Sequence, residues 1–412
     1  MTTIAAPVAY NPYAYEIHED PYPTYARLRA EAPLYRNPEL GFYALSRHDD
    51  VLAAFRDSAR YSNSHGVSID ASAWTPHADR AMSILAMDPP RHGRMRALVS
   101  RGFTPRRVLE MEPRVRVLAR RHLASAVEQG SFDFITDFAG RLPMDVISEL
   151  VGVPEPDRAE VRRLADLLVH REEGVNDIPK AGMEAALYLA GYYADLVAER
   201  RARPQDDLVS ALVAVVVDGD RLSDHDIIGF LSLMVVAGNE TTTKLLGHAC
   251  YWAWVNPDER AKAFAGPSRI GDWVDETLRY DTSSQMLARL ATEDIELHDQ
   301  VVPAGSQVLL LAGSANRDGD VFPDPDRFDL DRPATQRADV QQLASFGMGR
   351  HFCLGASLAR LEARVALEEL VATVEPDYEV DPGGIRRVHS VNVRGFAQLP
   401  ISVRPIAPRG QQ

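Results

Sequence analysis

The spacing of apolar residues along the chain predicts a protein built mainly from helices. Apolar positions recur every three or four residues, which places them on one helix face, in the segments 23–29, 49–56, 111–129, 158–170, 179–203, 205–217 and 358–374. Short apolar runs bounded by turn-forming residues predict strands at 295–297, 307–311 and 396–403. We therefore expect a mainly α fold with small β-sheets.

One apolar segment is long enough to form a helix that crosses most of a domain. Ser223 is a suitable N-cap, and Asp226 follows it in a capping-box position. The helical pattern then continues to about Val255, where an Asn-Pro pair ends it. Because residues 227–238 are apolar around the whole circumference, we expect this helix to be buried on nearly every side.

Polar residues interrupt this apolar helix at its centre. A buried carboxylate at Glu240 is costly, so it needs a partner, a water chain or a function. Thr241 can return its hydroxyl to the carbonyl of Ala237, which loosens the helix, and Ala237 and Gly238 remove side-chain bulk at that point. These features predict a groove that is wide enough for a diatomic ligand and a water. The alternative is a solvent-facing kink.

Cys353 lies on a glycine-rich loop directly before an amphipathic helix. The helix dipole and the loop N–H groups favour a thiolate, and Gly347 allows the backbone to wrap around the sulfur. His351 adds a cationic donor, and Phe346 can exclude water. A cysteine without a Cys-x-x-Cys partner is a poor zinc or iron–sulfur ligand, but it suits haem iron as a single axial ligand. The alternative is a buried structural cysteine, which is how we interpret Cys250.

Two motifs together resemble one family of enzymes. Residues 346–355 are similar to the cysteine-ligand loop of the haem-thiolate monooxygenases, the cytochrome P450 superfamily, and residues 237–242 resemble the oxygen-activation segment of its long central helix. The resemblance implies that Cys353 ligates haem iron. It also implies that Thr241 steadies dioxygen while Glu240 connects it to bulk protons.

The same resemblance implies a fold, a cofactor and a set of supporting residues. We expect one P450-type domain over 1–412, with a long central helix over haem b and short flexible ends at about 1–8 and 406–412. Glu276 and Arg279, with Arg327 as third member, resemble the family's buried Glu-x-x-Arg cluster, which is structural. The expected haem contacts are His92, Arg96, Arg289 and His351 at the propionates, and Ala237, Gly238, Phe346, Gly347 and Gly355 elsewhere.

By resemblance, the substrate pocket draws on several separated segments. The residues that we expect to line it are Leu233, Val236, Gln285, Met286, Val391 and Asn392. Most are apolar, and no pair of basic residues is clearly placed to bind a carboxylate. The expected substrate is therefore a largely hydrophobic small molecule, which the enzyme hydroxylates or epoxidises.

Composition and charge limit the partners and the compartment. A formal net charge of −14 argues against general nucleic-acid binding. Two cysteines indicate a reducing compartment, and neither a signal peptide nor a membrane anchor is evident, so we expect a cytoplasmic monomer of the bacterial type. Such an enzyme takes electrons from NAD(P)H through a ferredoxin reductase and a ferredoxin. A basic patch for an acidic ferredoxin is expected at Arg91, Arg94, Arg101, Arg106 and Arg107.

Other functions of a haem-thiolate protein compete with oxygen-dependent monooxygenation. A peroxide-using enzyme, or one that couples or rearranges substrates, needs the acid–alcohol pair at Glu240 and Thr241 less. A haem-based sensor or carrier needs neither that pair nor a substrate pocket, and no output domain is visible in the sequence.

Overall fold

Helices form most of the chain in the computed structural model, which describes residues 7–217, 219–333 and 342–406. The helices are α1 (Tyr15–Glu19), α2 (Tyr22–Glu31), α3 (His48–Arg56), α4 (Asp79–Met82), α5 (Arg91–Val99), α6 (Pro105–Glu110), α7 (Glu112–Val127), α8 (Arg141–Val151), α9 (Arg158–Val169), α10 (Lys180–Ala202), α11 (Leu208–Ala214), α12 (Asp224–Val255), α13 (Pro257–Phe264), α14 (Ile270–Tyr280), α15 (Ala312–Ala315) and α16 (Ala356–Thr373). Of the expected flexible ends, residues 1–6 and 407–412 lie outside the described part.

The strands are short and form several small sheets. They are β1 (Leu34–Asn37), β2 (Phe42–Leu45), β3 (Tyr61–Ser62), β4 (Ser131–Asp133), β5 (Val216–Val217), β6 (Asp220–Arg221), β7 (Leu287–Ala291), β8 (Ile295–Leu297), β9 (Gln300–Val302), β10 (Gln307–Leu310), β11 (Glu379–Val380), β12 (Arg386–Arg387), β13 (Phe396–Gln398) and β14 (Pro400–Ser402). The largest sheet has the order β1-β2-β10-β7-β3, in which only β2 and β10 are parallel. The mainly α fold with small sheets is confirmed.

The long helix α12 is the element around which the core is built. Ser223 and Asp226 form the capping box that the sequence predicts, and the helix ends at Val255. Helices α8, α9, α10, α14 and α16 all pack against it, and its first half contributes Ile227, Phe230 and Leu231 to the main hydrophobic cluster. This packing on many sides explains why the segment is apolar around its circumference.

Two predicted elements differ from the structure. The predicted helix at 205–217 shortens to α11, and Val216–Val217 instead pairs with Asp220–Arg221 in a hairpin turned by Gly219 at φ +86°. The predicted strand at 396–403 is two strands in different sheets. Phe396–Gln398 pairs with β12, whereas Pro400–Ser402 pairs with β4 and β11.

Candidate active site

The loop before α16 folds tightly around Cys353 because two glycines adopt left-handed backbone conformations. Gly347 and Gly349 have φ near +65° and +66°. A Cβ on Gly349 would lie 3.0 Å from the Phe55 carbonyl oxygen. The Cys353 N–H donates to the Phe346 carbonyl at 2.9 Å, which closes the loop and leaves the sulfur at the N-terminus of α16.

The surroundings of the Cys353 sulfur both oppose and support a thiolate. Burial raises the pKa of the thiol, whereas the N–H groups of Gly355 and Ala356 and the charges of Arg96 and Arg360 lower it. Burial outweighs the others, so the net effect of the surrounding protein is to raise the pKa of this thiol. A metal ion bound to the sulfur reverses this balance, because coordination deprotonates a thiol.

Among the described residues, no carboxylate forms an ion pair with any of four basic side chains near Cys353, although buried groups of this kind normally have such a partner. The rings of His92 and His351 lie 4.1 Å apart, and both Nε2 atoms are buried without a hydrogen-bond partner. Burial lowers the pKa of Arg289 to about 10, and burial also lowers the pKa of Arg96. Basic groups without a carboxylate partner, beside a single cysteine, fit a group that carries buried carboxylates, as haem does with its two propionates.

Burial also lowers the pKa of both histidines. It is the main cause that lowers the pKa of His351 to about 3, and His92, Arg289 and Arg96 add to it. The pKa of His92 is lowered as well, first by burial and then by the charge of Arg96. An anion bound among these residues would offset the repulsion between them.

The polar residues at the centre of α12 divide between a buried side and an accessible side. Glu240 is only 2% exposed, whereas Ala237 is exposed and Thr241 is partly accessible within an otherwise buried stretch. The Thr241 hydroxyl donates to the Ala237 carbonyl at 2.9 Å, as predicted. The helix runs on without a break, so the alternative of a solvent-facing kink is wrong.

Gly238 faces helix α8 rather than the accessible side of α12. A Cβ there would lie 3.3 Å from Ile147 of α8, so this glycine allows close packing between helices. The open side of α12 is instead formed by Ala237 and Thr241, which are one helical turn apart. Of the two residues at which a groove is expected, Ala237 lies on the accessible side of α12, whereas Gly238 faces α8.

Glu240 has a counter-ion that the sequence analysis missed. Lys244 lies one turn further along α12, with its Nζ 3.2 Å from Glu240 Oε2, and both side chains are buried. Asn239 donates to the other carboxylate oxygen at 3.4 Å. Burial alone would raise the pKa of Glu240, but the charge of Lys244 opposes it and the pKa is lowered. The signal for Lys244 was its i+4 spacing from Glu240.

The predicted Glu-x-x-Arg pair is present, but its third member is wrong. Arg279 makes two hydrogen bonds of 2.8 and 2.9 Å to Glu276, and neither side chain has exposed surface. The second arginine that pairs with Glu276 is Arg332, whose Nε lies 3.4 Å from Glu276 Oε2. Arg327 is exposed and contributes only its carbonyl, which accepts from Arg279 at 3.0 Å.

Only part of the predicted substrate pocket lies near the accessible side of α12. Leu233 and Val236 are partly exposed on that helix. Met286 and Val391 are instead buried in a separate cluster with tyrosines of the N-terminal segment. Gln285 bonds Thr282 and Tyr22, and Asn392 bonds the carbonyls of Val67 and Met286. These four residues therefore have their contacts away from the accessible side of α12, which their positions in the sequence do not reveal.

Cys250 behaves as the core residue that the sequence predicts. It has no exposed surface, and burial raises the pKa of its thiol to about 12. Within the described residues, no helix combines the length and the apolar character that are needed to cross a membrane.

The chain is similar to known proteins over nearly its whole length. The family model described as Cytochrome P450 matches residues 272–383. The chain is 59% identical over 394 residues to the putative cytochrome P450 123 of Mycobacterium tuberculosis, which covers 96% of each chain. It is 39% identical over 396 residues to the vitamin D(3) 25-hydroxylase of Pseudonocardia autotrophica, which covers 94% of each. The solved structure of cytochrome P450 CYP109Q5 from Chondromyces apiculatus matches with a TM-score of 0.86 at 34% identity, covering 98% of this chain and 100% of that one.

The fold and the cysteine loop define a haem-thiolate oxygenase. The chain belongs to the cytochrome P450 family. It is an oxidoreductase of the monooxygenase class that uses haem and O₂, and members of this family typically receive electrons from redox partners.

Proposed function

We propose that Cys353 is the axial ligand of haem b and that His92, His351, Arg96 and Arg289 bind its propionates. The proposal is supported by the two unpartnered Nε2 atoms and the two arginines whose pKa values burial lowers. Phe346, under the guanidinium of Arg360 at 4.6 Å, shields the loop from water. Bound haem supplies the iron at which O₂ is activated for insertion of one oxygen atom into the substrate.

Thr241 and Glu240 are the residues that we assign to proton delivery. The observation that carries this assignment is the accessible face of Ala237 and Thr241, directly beside a buried and charged acid. The Thr241 hydroxyl donates to Ala237, so its lone pairs remain free to accept a hydrogen bond from a water or a protonated group. Glu240, the next residue, can supply the proton.

Replacement of Thr241 tests this assignment. We expect Thr241→Ala to retain the thiolate-type carbon monoxide spectrum of the reduced protein. It should lose about tenfold in product formed per NAD(P)H consumed, because no hydroxyl then accepts the hydrogen bond that positions the proton-donating group. The matched control is Thr243→Val on the same helix, where the hydroxyl faces the Ala139 carbonyl at 3.4 Å. Unchanged coupling in Thr241→Ala would contradict the assigned role of Thr241. Absence of the thiolate-type band in the wild type would contradict the assignment of Cys353 as the haem ligand.

We propose a lipophilic, largely neutral small molecule as substrate, hydroxylated or epoxidised at a carbon centre. The accessible positions on α12 are Leu233, Val236 and Ala237, all of which are apolar. The vitamin D(3) 25-hydroxylase at 39% identity is named for a lipophilic substrate. Screening of lipophilic compounds for a low-spin to high-spin shift tests this class, and a preference for carboxylates would contradict it.

We propose that NAD(P)H supplies electrons through a ferredoxin reductase and a ferredoxin that docks on exposed arginines near the cysteine loop. Arg94, Arg107 and Arg350 are exposed, and Arg106 is 90% exposed in a pair with its neighbour Glu110. Arg91 is a poor member of this surface, because it pairs with Asp79 and Asp226 at the start of α12. The side chain of Arg101 lies outside the described part.

Charge reversal tests the docking surface. We expect the double variant Arg94→Glu and Arg106→Glu to lower the rate of reduction by an acidic ferredoxin about tenfold at low salt, with the difference shrinking as salt rises. Arg163→Glu on α9, an exposed arginine elsewhere, is the control. Equal reduction rates for both variants would contradict the docking surface.

We also propose that residues 1–412 form one domain and that the protein acts as a monomer in the cytoplasm.

A further inference from the structure

Arg360 lies in the second turn of α16, against the loop that carries Cys353. Its guanidinium carbon is 4.6 Å from the centre of the Phe346 ring. The carbonyl of Phe346 in turn accepts the Cys353 N–H at 2.9 Å. Arg360 therefore packs against the residue that closes the cysteine loop, and its side chain is 28% exposed.

Arg360 differs from the basic side chains that we assign to the propionates, because it has a carboxylate partner in the protein. The partner is Asp275 of α14, the helix that packs against α16, and the Arg360 Nε lies 3.1 Å from Asp275 Oδ1. Since Asp275 already balances its charge, Arg360 is not needed to bind a carboxylate of haem. The ring on one side and the carboxylate on the other instead hold the guanidinium in a fixed place beside the loop.

The charges at this end of α16 are arranged opposite to the usual pattern. Helix N-termini favour acidic side chains, because the peptide dipoles leave a partial positive charge there. The first turn of α16 contains no acid, and the cation Arg360 follows Ala356, the first helical residue, by four positions or about 6 Å along the axis. A cation here is favourable when another negative charge occupies the N-terminus. The sulfur of Cys353, as a thiolate, supplies that charge.

We propose that Arg360 is a positioning residue whose charge, held in place by Asp275 and Phe346, acts through the Cys353 thiolate to raise the reduction potential of the iron that Cys353 binds. One-electron reduction by a redox partner adds negative charge to the iron centre, and a nearby cation stabilises that charge. Asp275 acts in the opposite direction, because its carboxylate is negative. The inference rests on the proposed ligation of haem iron by Cys353.

Potentiometric titration of the haem-loaded protein tests both charges without any turnover. We expect Arg360→Leu to lower the ratio of reduced to oxidised protein at a fixed solution potential about three- to tenfold, because a cation that is only partly screened by water is lost. Asp275→Asn should raise the same ratio about two- to threefold, because the opposing charge is lost. Opposite shifts from the two partners of one ion pair distinguish an effect of charge from structural damage, which would move both variants in the same direction.

Two further variants separate the charge of Arg360 from its packing and its position. Arg360→Lys keeps the charge but not the planar contact with Phe346, so its ratio should stay within about twofold of the wild type. The matched control is Arg364→Leu, one turn further along α16, where an arginine that is 34% exposed pairs with Glu112 and Glu368. This control should change the ratio by less than about twofold, because its charge is further from the loop.

Three results overturn the proposal: no shift in Arg360→Leu, shifts of the same sign in Arg360→Leu and Asp275→Asn, or an equal loss in Arg360→Lys and Arg360→Leu. If Arg360→Leu does not retain haem, Asp275→Asn becomes the decisive variant, and a ratio that does not rise in Asp275→Asn overturns the proposal.

The carbon monoxide spectrum of the reduced protein separates this inference from the ligand assignment on which it rests. The wild type and the variants that retain haem should all show the thiolate-type band. If the band is present and the potentials do not shift as expected, Cys353 keeps its assigned role and only that of Arg360 is rejected. If the wild type itself lacks the band, both assignments are rejected.

Discussion

Glu276 has no exposed surface and pairs with two arginines, Arg279 and Arg332. Because loss of a buried partner is costly, mutation can test which residue is the second arginine. Arg332 is 4% exposed and also bonds the carbonyls of Pro323 and Asp324. We expect Arg332→Ala to lower the free energy of unfolding by about 3–5 kcal/mol, because it removes one partner of a buried ion cluster. Arg327→Ala should change it by less than about 0.5 kcal/mol, because that side chain is exposed. Urea denaturation of the haem-loaded variants measures both, and equal midpoints would contradict the assignment.

Single residues could be predicted from the sequence where a local motif defines them. Cys353, Thr241 and Glu240 stand in short motifs whose chemistry can be read without a structure. Arg332 could not be found in this way, because it reaches Glu276 only through the folding of distant segments.

At the scale of elements, a buried ion pair connects the loop that follows β3 with the loop between α9 and α10. Arg171 bonds both oxygens of Asp70, at 3.0 and 2.5 Å, and Ser72 bonds Asp177 nearby. We expect Asp70→Asn to lower the free energy of unfolding by about 3–5 kcal/mol, because the buried Arg171 then lacks its counter-charge. Asp177→Asn, in an exposed contact, is the control and should cost less than about 1 kcal/mol. Thermal denaturation measures the difference, and similar losses for the two variants would contradict it.

The helices could be predicted better than the strands, because a helix is defined by residues close together in the sequence, whereas a strand needs a partner from elsewhere in the chain. A long amphipathic or apolar period, with Ser223 as cap and an Asn-Pro stop, defines α12 from local sequence alone. The C-terminal strands depend on partners elsewhere in the chain. Phe396–Gln398 and Pro400–Ser402 are adjacent in sequence yet join different sheets, which no local pattern records.

At the scale of the whole molecule, one aspartate connects the two ends of the chain. Asp281 accepts hydrogen bonds from Tyr22 near the N-terminus at 2.7 Å, from Trp252 of α12 at 2.9 Å and from Arg394 near the C-terminus at 2.9 Å. Burial opposes its charge, but Arg394 and neighbouring basic groups hold its pKa far below the ordinary value. Such convergence follows from the complete fold, so the sequence could predict the fold class but not this network.

His248, which packs against the same aspartate, makes the stability of the molecule depend on pH. It has no exposed surface, and burial lowers its pKa to about 4, against about 6.5 in an unfolded chain. Between these values the unfolded chain binds a proton that the folded protein does not, so this residue lowers stability as pH falls, by about 3 kcal/mol at pH 4. Asp166 and Glu362, with raised pKa values, act in the opposite direction, so only a comparison with a variant isolates the effect.

The comparison is between the wild type and His248→Gln, which retains a side-chain donor for the Asp281 carbonyl that His248 bonds at 2.6 Å. We expect the stability of the variant relative to the wild type to rise by about 3 kcal/mol between pH 7 and pH 4, because glutamine does not titrate. His77→Gln, at an exposed position, should change the free energy of unfolding by less than about 0.5 kcal/mol at every pH. Urea denaturation across this range measures both differences. A constant difference for His248→Gln would mean that the buried imidazole takes up its proton as readily in the folded protein as in the unfolded chain.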